Sequence, residues 1–216
     1  FGGALEPMTL ARAWFAERPR QELVRLDQLE ILRSPLSAPV DQTRMAVLSF
    51  FAEVIDEALP ERDPQETVFR LVVSVLEQTH AVQTTATQSD SAQSNVAQPW
   101  MALTYFSLWM TRLMGLLPDI GRCMVCSEAL GAGEVSFNAA ADGLFCGLHS
   151  NGAASALSAD SWQLAQRMLR QPAAAFAGEA WTRRRGQDLR RFTLQTLERH
   201  LERKLKCAEA IARLGG

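Results

Sequence analysis

CMVCSEALGAGEVSFNAAADGLFCGLH, residues 123–149, places Cys123, Cys126, Cys146 and His149 in the pattern C-x2-C-x19-C-x2-H. Two tight pairs of soft or borderline ligands, separated by enough chain to fold back, can set three sulfurs and one imidazole nitrogen tetrahedrally around zinc. Four protein ligands close the shell, so the ion would contribute folding energy and not catalysis. Between the pairs, Ser136-Phe137-Asn138 reads as a strand, Asp142-Gly143 as a turn and Leu144-Phe145 as the return. A disulfide framework is the alternative, but Cys207 lies far away on an expected helix and His149 would have no role.

Outward from this module the pattern is helical. In Met45–Leu59, Val47, Leu48, Phe51, Val54, Ile55, Ala58 and Leu59 fall on one stripe. Phe69, Val72, Val73 and Leu76 repeat the pattern in a second helix, which Asp63-Pro64 is expected to open. Residues 82–98, rich in Gln, Thr, Ser and Ala, offer little apolar surface and predict a mobile loop. Trp100–Leu117 is apolar, but Thr104, Ser107, Thr111 and Arg112 interrupt it, so it reads as a buried central helix and not a membrane span. Ser158 is expected to cap a helix carrying Trp162, Ala165, Met168 and Leu169, with Pro172 at its end.

One last helix is expected from about Asp188 to Leu214. Its apolar stripe is Leu194, Leu197, Leu201, Leu205 and Ala208, and Arg199, Arg203 and Lys206 lie on the opposite, outward side. From Arg183 to Lys206 nine Lys/Arg stand against three Asp/Glu, although the whole chain carries −2. Such a local excess attracts phosphate, while its bland reading is a solvated helix face. At the other end, Met8–Phe15 and Glu22–Leu26 read as a β-hairpin turning at Arg18-Pro19-Arg20-Gln21. A lone hairpin is marginal in water, so it must pack on the helices or belong to a larger sheet.

The chain has 216 residues, 47% of them hydrophobic, which is enough for a substantial core. It lacks a basic, apolar opening of the secretory kind, and a cytoplasmic, nucleoid-associated location is expected. No nucleophile, base or paired-carboxylate constellation is recognisable, so no enzymatic activity is expected. His80 is read as solvated, and His200 as a packing residue beside the Leu stripe. A metal-dependent hydrolase would need an open ligand position and a base such as Glu128 or Glu134. The fold class is therefore α+β, mainly a helical bundle with an embedded zinc-binding hairpin module and an N-terminal β-hairpin.

The order of several segments resembles the RecO family of bacterial recombination mediators. They are Tyr105-Phe106-Ser107-Leu108 through Met114-Gly115-Leu116-Leu117-Pro118, then Arg122–Cys126, Phe137 and Gly143–Cys146, then Arg191-Phe192 and Leu197–Lys206. The resemblance covers about residues 4–213. It implies that residues 1–36 are the end of an OB-fold barrel whose earlier strands are absent from this chain. It assigns residues 37–216 to a helical domain holding a zinc module at 120–150.

By the same resemblance, the chain would bind single- and double-stranded DNA and anneal strands. It would engage RecR and the acidic C-terminal tail of single-stranded DNA-binding protein, and indirectly help load RecA. Arg190, Arg191, Arg199, Arg203, Lys204 and Lys206 are the expected DNA contacts, and Arg112, Tyr105 and Trp109 the expected partner contacts. Two features depart from the family pattern. His149 stands where the fourth ligand is usually cysteine, and Thr104 and Tyr105 occupy positions that are basic in some relatives. Tail capture would then fall to Arg112 or to arginines of another helix. A zinc-containing interaction scaffold without direct DNA binding is the competing reading, with Trp100, Phe106 and Trp109 as a possible groove lining or, alternatively, core.

Overall fold

The structure, a computed structural model, describes residues 2–18, 23–37, 41–80, 91–131, 135–138, 140–150 and 155–214. Strands β1 (Leu10–Ala16) and β2 (Arg25–Arg33) pair antiparallel, from Leu10 opposite Arg33 to Ala16 opposite Arg25. The hairpin is present, but its second strand starts later than expected and runs to Arg33. Most of the expected turn lies outside the described residues. Trp14, Phe15, Ile31 and Leu32 are exposed, and an Arg33–Glu77 ion pair ties the hairpin to the helices.

Six helices follow in chain order: α1 (Gln42–Ala58), α2 (Glu66–His80), α3 (Ser91–Leu113), α4 (Ala159–Met168), α5 (Gln187–His200) and α6 (Lys206–Arg213). Asp41 caps α1 by accepting from the Arg44 backbone N–H at 2.7 Å. α2 begins later than expected: the Gln65 carbonyl accepts from Phe69 N, so Gln65 is the residue that precedes the first turn, and Asp63 only accepts from the Gln65 side chain. Its buried stripe is Val68, Leu71, Val75 and Leu76, whereas Phe69 is 55% exposed. The sequence reading was thus rotated by one position there, because adjacent apolar residues on a helix fit two stripe phases.

Helix α3 is the axis of the fold. Trp100 to Met110 are buried apart from half-buried Trp109, and Phe106 stacks on Phe51 of α1 with ring centroids 4.2 Å apart. The buried hydroxyls of Thr104, Ser107 and Thr111 donate to carbonyls one turn back, which satisfies polar groups on this buried stretch of the helix. The expected loop over 82–98 is corrected in part: residues 91–98 are helical, and 82–90 lie outside the described residues. No helix among the described residues is long and apolar enough to cross a membrane.

The single last helix is also corrected. α5 stops at His200, Glu202 turns left-handed at φ 53°, and α6 starts afresh at Lys206. Two carboxylates make this break. Glu198 accepts from Leu205 N, and Glu53 of α1 accepts from Lys206 N and Cys207 N at 2.8 Å each, capping α6 from a neighbouring helix. The Leu stripe still packs on the bundle, but from two helices. His200 is exposed and has no packing role.

Candidate metal centre and nucleic-acid interface

Between α3 and α4 the chain builds two knuckles. In the first, Ser127 turns left-handed at φ 60° and its N–H donates to the Cys123 carbonyl at 2.8 Å, bending Cys126 back beside Cys123. In the second, His149 N donates to the Cys146 carbonyl at 2.9 Å. Single bridges join the knuckles, Cys123 with Leu144 and Ser136 with Phe145. The expected return through Leu144-Phe145 is therefore there. The true strand partner of β3 (Val135–Phe137) is β4 (Ser155–Leu157), a segment not anticipated from the sequence. Gly143 is required: a Cβ there would lie 2.7 Å from the Met124 Cβ.

Cys146 Sγ lies 3.3 Å from His149 Nδ1 and 4.0 Å from Cys126 Sγ, and Cys123 Sγ lies 3.8 Å from the same imidazole nitrogen. All four donor atoms fall within 4.8 Å of one another. A tetrahedral zinc shell has edges of about 3.6–3.8 Å for these donors, so the set fits one ion. Backbone N–H groups of Cys126 and Cys146, directed at the Cys123 sulfur, pull that thiol down to about 6 and favour the thiolate a metal needs. All four cysteines are free thiols. The expected quartet is thus brought together as a site that can hold a metal ion.

The module is fixed to the helices by Phe137, which meets Phe192 of α5 edge-on at 5.2 Å, and by an ion pair from Asp142 to Arg199. Trp162 Nε1 donates to the Ile120 carbonyl at 2.7 Å just before the first knuckle. Glu128 is exposed and uses its carbonyl to receive Cys123 N, while Glu134 lies outside the described residues.

The expected DNA contacts have different surroundings. Arg190 is 7% exposed, donates to Thr104 Oγ1 and to the Arg185 and Arg183 carbonyls, and lies over the Trp100 ring. Burial lowers its pKa to about 10, and these bonds hold its guanidinium within the fold, at the side of the cleft described below. Arg203 pairs with Glu57, Lys204 with Glu198 and Arg199 with Asp142. Arg191 and Lys206 are exposed without an ion-pair partner among the described residues. The stripe expected on one continuous helix is interrupted, because α5 ends before Arg203 and α6 starts afresh at Lys206.

Of the expected partner contacts, Tyr105 is buried and donates its hydroxyl to the Gln171 carbonyl at 3.0 Å. Trp109 is half-buried with Nε1 donating to the Met168 carbonyl, and exposed Arg112 lies 5.1 Å above its ring. Trp100 and Phe106 are core. A cleft of about 200 Å³, missed in the sequence, opens between α1, α3, α5 and α6. Phe50, Leu103, Leu194 and Ile211 wall it, with Arg190 and Arg191 at one side.

The family model described as "Recombination protein O C terminal" matches residues 39–208. A protein named DNA repair protein RecO from Koribacter versatilis (strain Ellin345) is 46% identical over 95% of this chain and 78% of its own length. One of the same name from Anaeromyxobacter dehalogenans (strain 2CP-C) is 30% identical over 100% of this chain and 80% of its own length. With the knuckle quartet, the encased central helix and this match across the helical region, the chain belongs to the RecO family of DNA repair proteins.

Proposed function

We propose that the chain is a non-enzymatic DNA repair and recombination mediator that binds single- and double-stranded DNA and anneals complementary strands. In this reading it works with RecR, engages the acidic tail of single-stranded DNA-binding protein and so helps load RecA, in the cytoplasm. The observation that carries it is the charge asymmetry of a family member: nine cations against three anions between Arg183 and Lys206 in a chain of net −2. Cations that neutralise phosphates on two strands lower the repulsion opposing their annealing. The hairpin would be the end of an OB-fold barrel, joined near residues 36–37 to the helical domain.

The quartet Cys123, Cys126, Cys146 and His149 would hold zinc, which, when bound, supplies a structural crosslink between the two knuckles. The acidic tail has two seats of suitable chemistry. One is Arg112 above Trp109, with Tyr105 positioning that face from beneath. The other is the apolar cleft beside Arg190 and Arg191, where a carboxylate could meet guanidinium while an apolar residue fills the cleft.

The test is binding of a fluorescent single strand across a salt series, with metal content measured on the same preparation. One zinc per chain, and binding that weakens steeply as salt rises, is the expected result. Zinc without binding would favour the interaction scaffold instead. That reading draws on Arg203, Lys204 and Arg199 being engaged in internal pairs, and on exposed Met124, Val125 and Leu148 around the knuckles.

A further inference from the structure

A groove of about 630 Å³ runs between α4 and the start of α5, away from the knuckles and next to the apolar cleft, with which it shares Gln187 and Arg191. Its lining is more polar than apolar, Leu164 being its only large apolar residue, and four arginines face it: Arg167, Arg184, Arg185 and Arg191. Two carboxylates also line it. Of these, Asp188 is already engaged: it accepts from Ser158 N at 2.6 Å, from Leu189 N and from the Ser161 hydroxyl. Burial would raise the Asp188 carboxyl, but these three donors outweigh it and hold it below the usual range. Gly186 makes the turn that feeds the arginines into the groove. It sits at φ 71°, and a Cβ there would approach Thr104 and Leu164 at 3.2 and 3.3 Å.

The four arginines fall into two classes. Arg184 and Arg191 are exposed and have no ion-pair partner among the described residues. Arg167 and Arg185 are both paired with the same carboxylate, Glu179. Each of these two is also held by an aromatic face, Arg167 over Phe176 at 5.1 Å and Arg185 over Trp181 at 4.7 Å, and Arg185 donates to the Ala180 carbonyl. Their positions therefore do not depend on Glu179 alone. Glu179 itself, with Arg167 foremost among its causes, is held below the usual carboxylate range and stays charged near neutrality.

The geometry points to this groove as a track for a phosphodiester backbone, in which Arg184 and Arg191 receive phosphates directly and Glu179 is an internal anion that competes for Arg167 and Arg185. This rests on the DNA-binding reading above and assigns it a place and a control. A polar groove with planar bidentate donors suits phosphate oxygens, whereas a peptide tail would need an apolar seat that this groove lacks. The arrangement implies a gain of function: neutralising the half-buried Glu179 carboxylate releases two guanidiniums to the strand, and binding tightens.

The test uses the full chain, a fluorescein-labelled oligothymidylate and anisotropy over a salt series, for wild type, Glu179→Gln and the double variant Arg184→Glu/Arg191→Glu. Thermal melting of each sample verifies the fold, and Arg184→Gln/Arg191→Gln replaces the reversal if it melts early. The expected result for Glu179→Gln is several-fold tighter binding with a steeper salt slope. The double variant should bind roughly tenfold more weakly, with the slope reduced by about two. Wild-type binding with both variants unchanged overturns the groove and leaves the DNA-binding reading standing. Weaker binding by Glu179→Gln overturns the competition, since Glu179 would then only position the arginines. No binding by wild type overturns both readings together.

Discussion

Helices α3 and α5 end in the same hydrogen-bonded turn on different residues. After α3, Gly115 N donates to the Arg112 carbonyl and Leu116 N to the Thr111 carbonyl; after α5, Glu202 N donates to Arg199 and Arg203 N to Glu198. Both are Schellman caps, with the left-handed position at φ 73° for Gly115 and 53° for Glu202. Glycine takes that conformation freely, whereas for a residue with a Cβ it costs about 1–2 kcal/mol. Something beyond the backbone of the turn must therefore impose it on α5. The candidates are Glu198, which receives Leu205 N and pairs with Lys204, and Glu53, which receives the first two N–H groups of α6. One end is written in its own residue, and the other is set by its neighbours.

Five substitutions probe that contrast. Phe106→Ala, in the encased helix, should lose about 4 kcal/mol in denaturant titration, since the ring is fully buried against Phe51. Leu194→Ala on half-buried α5 should lose markedly less, and equal losses would erase the distinction between the helices. Glu53→Ala should cost about 1–2 kcal/mol and strip hydrogen-exchange protection from α6 while α3 stays protected. Uniform loss across both helices would show that the cap is not local.

The Glu53 contribution also has a sign in pH. Burial would raise its carboxyl, but the backbone N–H groups of Cys207 and Lys206 outweigh it and leave it below the usual range. A depressed carboxyl stabilises fully above its unfolded value and loses that contribution as pH falls through the folded one. The gap between wild type and Glu53→Ala should therefore close in acid, and a gap that widens there would contradict the assignment. Next in size, Gly115→Ala should cost about 1 kcal/mol by melting, all from backbone, because no atom lies within 4 Å of the added Cβ. The smallest effect is Glu202→Gly, with a gain of about 0.5 kcal/mol, the relief at φ 53° exceeding the added chain entropy. A loss would mean that the Glu202 side chain contributes something its exposed position does not suggest.

The same contrast explains what could be read from the residues. The metal quartet was legible because ligand type and spacing are local, and Gly143 marked the turn that closes it. α3 was legible because an unbroken apolar run has few alternatives. Its first turns over residues 91–98 were not, since Gln, Ser and Ala there carry no stripe. β4 was invisible because Ser155-Ala156-Leu157 is too short to carry an alternation of its own, and its partner β3 lies on the far side of the second knuckle. The α5 stop was hidden because its left-handed residue is a glutamate, a good helix former. The cations of residues 183–206 could be counted, but pairing with Glu57 and Asp142 depends on distant chain, and pairing with Glu198 and Glu179 on turns that helical periodicity does not describe.

Glu53 and Lys206 stand 153 positions apart, yet one carboxylate holds the first turn of an eight-residue helix. A helix that short has almost no independent existence in water, so α6 forms only when α1 is already in place. On the ribosome the order is severe. α1 emerges early and must wait, with part of its surface uncovered, while more than a hundred residues are added, a delay of about 10 s or more at common synthesis rates. During that interval the nascent chain presents a partly assembled bundle to whatever chaperone or partner is nearby, and α6 acts as the latch that closes it.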